Sequence, residues 1–134
     1  ITFHPTGLEQ TEFKNEIIRK KVLEDRRMTR IVYDRVFSQG LKYALGTDSM
    51  HGLMYYEMKL AVDFGADNMS VIVAATKTGA EICLMDDKIG TIEPGKYADF
   101  IALKDNPIDN IDAMALVDIV YKDGKMIVDK RKKN

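Results

Sequence analysis

Tryptophan is absent from these 134 residues, cysteine occurs once and proline only three times. A single cysteine, Cys83, excludes an internal disulfide and any cysteine-based zinc module. Its position in an apolar helical stretch predicts a buried, inert thiol. An excess of basic charge is missing too. Twenty Lys and Arg against 21 Asp and Glu leave a net charge of −1, which argues against a dedicated nucleic-acid binder. No apolar run approaches the length that spans a bilayer, and there is no signal-peptide pattern. The expectation is a cytoplasmic protein with no membrane partner. The chain opens Ile1-Thr2-Phe3 without an initiator Met, so residues upstream, with any signal they carry, are expected to be missing. Internal repeats and low-complexity tracts are lacking as well. What is present is 46% apolar residues, enough at this length for the core of one domain.

The chain is organised around Tyr43-Ala44-Leu45-Gly46-Thr47-Asp48-Ser49-Met50-His51-Gly52. A short apolar run, Lys42–Leu45, ends in a small residue and a carboxylate and then feeds an amphipathic segment. That order predicts a buried strand breaking into a loop before a helix. In folds built on parallel strands, chemistry is done at the carboxyl ends of the strands. Asp48 occupies such an end, where a carboxylate can accept a proton, bind a hard cation or orient a water. A plainer reading competes: Thr47, Asp48 or Ser49 simply caps the helix that follows.

Upstream, Ile1–His4 resembles the tail of a strand stopped by Pro5. Thr6-Gly7-Leu8-Glu9 offers a capping box, and Phe13, Ile17, Ile18 and Val22 follow at helical spacing. The basic cluster from Arg19 to Arg30 is interrupted by Glu24 and Asp25 and reads as a solvated helix face. Thr29 can cap a second helix, stopped by Gly40. Downstream, Met54, Met58, Ala61 and Val62 form an apolar helical face that ends near Gly65. Asp67 or Asn68 caps a further helix, Met69–Leu84, with Val71, Ala74, Ala75, Thr78 and Ile82 at helical spacing. From Lys88 the pattern changes to short strands and turns. Glu93-Pro94-Gly95-Lys96 fits a type II turn, and Tyr97–Leu103 reads as a strand. Ile111–Leu116 is a short irregular or helical piece. Val117–Tyr121 and Lys125–Val128 flank Lys122-Asp123-Gly124, a hairpin signal. Lys130 to Lys133 suit a disordered basic tail.

Leu45-Gly46-Thr47-Asp48, then Ala74-Ala75-Thr76, then Lys88-Ile89-Gly90-Thr91-Ile92-Glu93-Pro94-Gly95-Lys96-Tyr97-Ala98-Asp99, come in an order and spacing that resembles the C-terminal part of a metal-dependent amidohydrolase. The likeness is to the imidazolonepropionase-like and prolidase-like branch, and it spans about Lys42 to Val128. It implies an α/β fold: the C-terminal part of a TIM-like (β/α)8 barrel plus the C-terminal strands of a small β-sandwich. Residues 1–87 would belong to the barrel, 88–129 to the sandwich and 130–134 to the tail. Asp48, at the end of the eighth strand, would match the aspartate that contacts the metal and takes a proton from the attacking water. His51 falls where relatives often carry a substrate-side loop histidine, although a helix-entry histidine without a ligand role fits as well.

The departures from the family pattern weigh as much. The resemblance implies a His-x-His pair and further ligands from earlier strands, and this sequence has only His4 and His51. Asp48, His4 and His51 can be drawn as a triad, but the family map gives His4 no ligand role. A divalent metal, zinc by expectation, would therefore be held only if the missing ligands were supplied, and none is expected for the chain alone. Three readings follow. One is a piece of an enzyme hydrolysing C–N bonds in a small amide, cyclic amide or dipeptide-like substrate, inactive by itself. Another is a non-catalytic remnant acting as a homo-oligomerising or interaction module, since orphaned barrel strands expose edges and apolar faces. The last is an unrelated small α/β binding domain.

Overall fold

The computed structural model describes residues 16–47 and 52–131. The capping box at Thr6 and the strand end Ile1–His4 lie outside the described residues. Helix α1, Glu16–Ser38, is continuous over 23 residues. The boundary expected at Thr29 does not occur. Thr29 lies among Arg, Met and Ile, and an i,i+3 pair between Arg27 and Glu24 (2.8 Å) supports the turn before it, so no local signal outweighs helix propagation. Gly40 ends the helix as expected. Its φ of +62° lets its N–H reach the Phe37 carbonyl (3.2 Å) while the Leu41 N–H reaches that of Val36 (3.1 Å).

Residues 41–47 then run without turn or bend. Among the described residues no strand is assigned over the expected Lys42–Leu45. A lone apolar run can be recognised from its pattern, but a strand exists only through its neighbours. The run packs on helices. The Tyr43 ring meets Phe37 (centroids 5.2 Å apart), and Tyr33 bridges Phe37 and Phe64 at 6.1 and 5.7 Å.

Helix α2, Met54–Asp63, buries Met58 and Ala61, as its periodicity predicts. It closes through Gly65 with the same two-bond motif that ends α1. Asp67, one of the two expected caps, starts helix α3, Asn68–Ala75, by accepting from the Ser70 N–H at 2.9 Å. The helix expected to run unbroken to Leu84 stops at Thr76 and resumes as α4, Lys77–Ile82. The Thr76 hydroxyl donates to the Ile72 carbonyl at 2.7 Å, and its backbone (φ −121°, ψ −87°) is not helical. That interruption resets the phase of the following turn. Ile82, expected on the apolar stripe, is 65% exposed, and Cys83, expected to be buried, is exposed.

Gly90 seats the next turn against the break. A Cβ there would lie 2.6 Å from the Ala80 Cβ and 3.2 Å from the Thr76 carbonyl oxygen. The Glu93–Lys96 turn forms as predicted, with Gly95 at φ +92° and the Lys96 N–H bonded to the Glu93 carbonyl. Strand β1 is shorter than expected, Phe100–Leu103. It pairs antiparallel with β2, Val117–Lys122, which pairs with β3, Lys125–Asp129, giving the order β1-β2-β3. The predicted hairpin is a tight turn with Asp123 and Gly124 both at positive φ. A 3-10 turn, Ile111–Ala115, capped by Asn110, precedes β2 and inserts Ile111 into a core with Met58, Ala61, Ala66 and Val71. Asn68 ties the start of α3 to the loop before that turn through the Ile108 carbonyl (2.8 Å). Among the described residues no helix is long and apolar enough to cross a membrane.

Candidate functional site

The residues singled out from the sequence, Asp48 and His51, and the more distant His4, lie outside the described residues. The structure does describe how the chain on either side of them is held. On the near side, Tyr43 and Leu45 are two residues apart, the spacing that brings side chains to one face of a straight run. Both meet the helices: Tyr43 through Phe37 and Ser70, Leu45 through the core that α2 and α3 share.

 On that alternation Ala44 and Gly46 take the other face. Lys42, at the start of the run, forms an ion pair with Glu81 of α4 (2.5 Å), a contact of charge without an aligned hydrogen bond.

On the far side, Gly52 (φ +84°) precedes α2, and the amides of Tyr56 and Glu57 close on the Leu53 carbonyl. Glu57 is 1% exposed, a buried carboxylate in the first turn of the helix that follows the loop. Its charge and, more strongly, burial push the Tyr33 phenol above its ordinary range. Sequence reading missed Glu57, although a signal existed: it lies three residues after Met54 and four before Ala61, on the stripe read as apolar. The tether of Tyr43 was missed as well. Its phenol lies 3.2 Å from the Ser70 hydroxyl, a contact between residues 27 apart that no local pattern announces.

Among the described residues no three His, Cys, Asp or Glu side chains gather as a metal would require. A shallow cavity of about 400 Å³, lined by Asp34, Arg35, Phe37, Ser38, Phe64 and Gly65, lies where α1 and α2 end.

Helices flanking a straight run, followed by a small antiparallel sheet, define a class: the fold's neighbours are amidohydrolases of the TIM-barrel type. A Xaa-Pro dipeptidase crystallised with methionine in its active site superposes with a TM-score of 0.80 at 34% identity, over 90% of this chain and 31% of that one. A prolidase-like protein from Bifidobacterium longum gives 0.65 at 28% identity, over 74% and 26%. A 5-methylthioadenosine/S-adenosylhomocysteine deaminase from Teredinibacter turnerae is 39% identical over 84 residues, covering 53% of this chain and 19% of that one. The amidohydrolase family model matches residues 7–127, and the chain belongs to the amidohydrolase family. It spans under a third of the length of each of these relatives. Amidohydrolases are generally metal-dependent. The described residues do not by themselves make a site for such a metal.

Proposed function

We propose that this chain is the C-terminal share of a metal-dependent amidohydrolase that hydrolyses a C–N bond in a small amide, cyclic amide or dipeptide-like substrate. Residues 1–87 complete the barrel, 88–129 form the C-terminal strands of a small β-sandwich, and 130–134 are a basic tail. The observation that carries this reading is the superposition of most of this chain on a minor part of a dipeptidase. Asp48 is the general base. It follows the straight run at the end where barrel enzymes place their chemistry, and it accepts a proton as water attacks the amide-type carbon. His51 lies on the substrate side of the same loop. A divalent metal, zinc in this reading, is held chiefly by residues that a complementing chain provides, and Asp48 is the donor we assign from this one. The isolated chain is inactive, and the assembled enzyme is cytoplasmic.

The test is complementation with the barrel portion that carries the His-x-His pair. Turnover should appear only with both parts present, and Asp48→Asn should lower kcat by at least about 100-fold, the lower range for losing a general base. Full turnover by the Asp48→Asn enzyme would remove the assignment. A second reading, a non-catalytic homo-oligomerising module, is favoured by the exposure of Leu84 and Ile92, each 86%. Native mass distinguishes the two: a metal-free homo-oligomer that no barrel portion activates supports the module.

A further inference from the structure

Helix α1 is apolar on two sides, and one of them is spent within the chain. Tyr33 and Phe37 pack against the core, and the Arg30 guanidinium lies over the Phe64 ring on the same side, 5.8 Å from its centroid. At roughly 100° per residue, Met28, Ile31 and Val32 come out on the opposite side. They stand at i, i+3 and i+4, neighbours on the helix surface, and are between 39% and 51% exposed. A helix with solvent outside carries polar residues there, whereas apolar stripes on both sides suit a helix lying between two layers.

The order of residues along that outer side says what the second layer is. Glu24, Met28, Ile31 and Arg35 follow at steps of four, three and four, the spacing of a helix-pairing seam. The order is acid, apolar, apolar, base, which is its own complement when reversed. Two copies of α1 laid antiparallel, with the axis between Met28 and Ile31, set Met28 against Ile31 in the middle and Glu24 against Arg35 at both ends. Laid parallel, they would oppose Glu24 to Glu24 and Arg35 to Arg35, so like charges reject that arrangement. Arg35 has no ion pair among the described residues. Glu24 pairs with Arg27 of its own helix and stays exposed, with acceptor capacity left on its carboxylate. Exposed ion pairs add little energy, so the apolar seam supplies the association and the charges fix its direction.

We propose that the outer face of α1 is an isologous docking surface for a second copy of this chain, an antiparallel α1–α1 pair centred between Met28 and Ile31. Nothing in it involves the candidate site, so it stands or falls apart from the hydrolytic reading.

Sedimentation of the full chain over a concentration series reads the association directly. A dimer should appear, and Ile31→Glu, which puts a charge into the seam from each copy, should weaken it by at least about 100-fold. Arg35→Glu turns both end pairs repulsive and should weaken association about tenfold, because the two-fold counts each pair twice. Adding Glu24→Arg to Arg35→Glu rebuilds both pairs with their signs exchanged and should restore most of that loss. Circular dichroism checks that the variants keep their helices. Should Ile31→Glu disturb them, the charge series on the exposed Glu24 and Arg35 decides alone. A chain that stays monomeric up to roughly 1 mM overturns the proposal. A dimer indifferent to Ile31→Glu is built on another face and overturns it too. A double variant that associates no better than Arg35→Glu alone overturns the antiparallel register. A monomeric chain whose capture by the barrel portion is abolished by Ile31→Glu gives this face to the barrel instead of a second copy.

Discussion

Two stretches of this chain carry its most recognisable sequence, and they are held in opposite ways. The run from Lys88 to Asp99 is satisfied within a small radius. Gly90 sits on the α3–α4 break, Lys96 donates to Thr91 at 2.6 Å, and the Tyr97 N–H bonds the Lys88 carbonyl at 2.8 Å. Asp99 accepts from the Asp123 N–H at 2.6 Å and pairs with Lys122, so it clamps the hairpin turn. In the 41–47 run, Tyr43 and Lys42 reach separate helices through long-range side-chain contacts to Ser70 and Glu81. The difference separates recognisability from chemistry. The long signature is specific because close packing and turn geometry demand those residues there, whereas the run leading to Asp48 depends on what surrounds it.

That comparison breaks most visibly at Gly90. A methyl group at this position would collide with the Ala80 Cβ and meet the Lys77 Cα and Thr76 carbonyl, and the backbone is at φ +93°. Overpacking and left-handed strain add, so Gly90→Ala should destabilise by about 2–4 kcal/mol. Chemical denaturation reads this as a lower midpoint. A variant as stable as the parent would mean that the signature glycine is not a packing residue.

How far the sequence was legible follows the range of the cause. The stops at Gly40 and Gly65, the Asp67 cap, the type II turn and the hairpin were all legible because each is decided by a few adjacent residues. The break at Thr76 was not, since the turn seated on it comes fourteen residues later, at Gly90. With the break went the phase of α4, and hence the misplacement of Ile82 and Cys83. A hidden Glu57 and the Tyr43–Ser70 contact belong to the same group, as products of tertiary neighbours. For the candidate site itself, the family pattern pointed to Asp48, whereas the stretch alone favoured a helix cap.

The Asp99 clamp sharpens the comparison through pH. The Asp123 N–H, and after it Lys122, hold the Asp99 carboxyl below its ordinary 3.8. A group depressed on folding stabilises the native state above its unfolded pKa, and that contribution is lost as pH falls through the folded value. Stability should therefore decline below about pH 4. Asp67 is also depressed, by its bonds to Ser70, and titrates in the same window. The part due to Asp99 is the difference between parent and Asp99→Asn in denaturation midpoints over this range. Identical acid limbs would mean that the clamp does not discriminate charge.

The smallest effect is the most discriminating, because its sign depends on what else is present. α4 ends with the same two-bond motif that ends α1, but its left-handed position is held by Leu84 at φ +55° instead of glycine. A leucine there is strained, and at 86% exposure its side chain recovers almost nothing by burial within the chain. Leu84→Gly should relieve that strain, less the extra backbone entropy glycine loses on folding, a net gain of about 0.5–1 kcal/mol for the isolated chain. If the exposed Leu84 side chain is covered in an assembled enzyme, the same change should weaken association with the barrel portion. Stabilisation of the isolated chain together with weaker assembly would identify Leu84 as strained for the sake of a contact. Stabilisation without any effect on assembly would mean that Leu84 stays exposed and that the strain serves no interface.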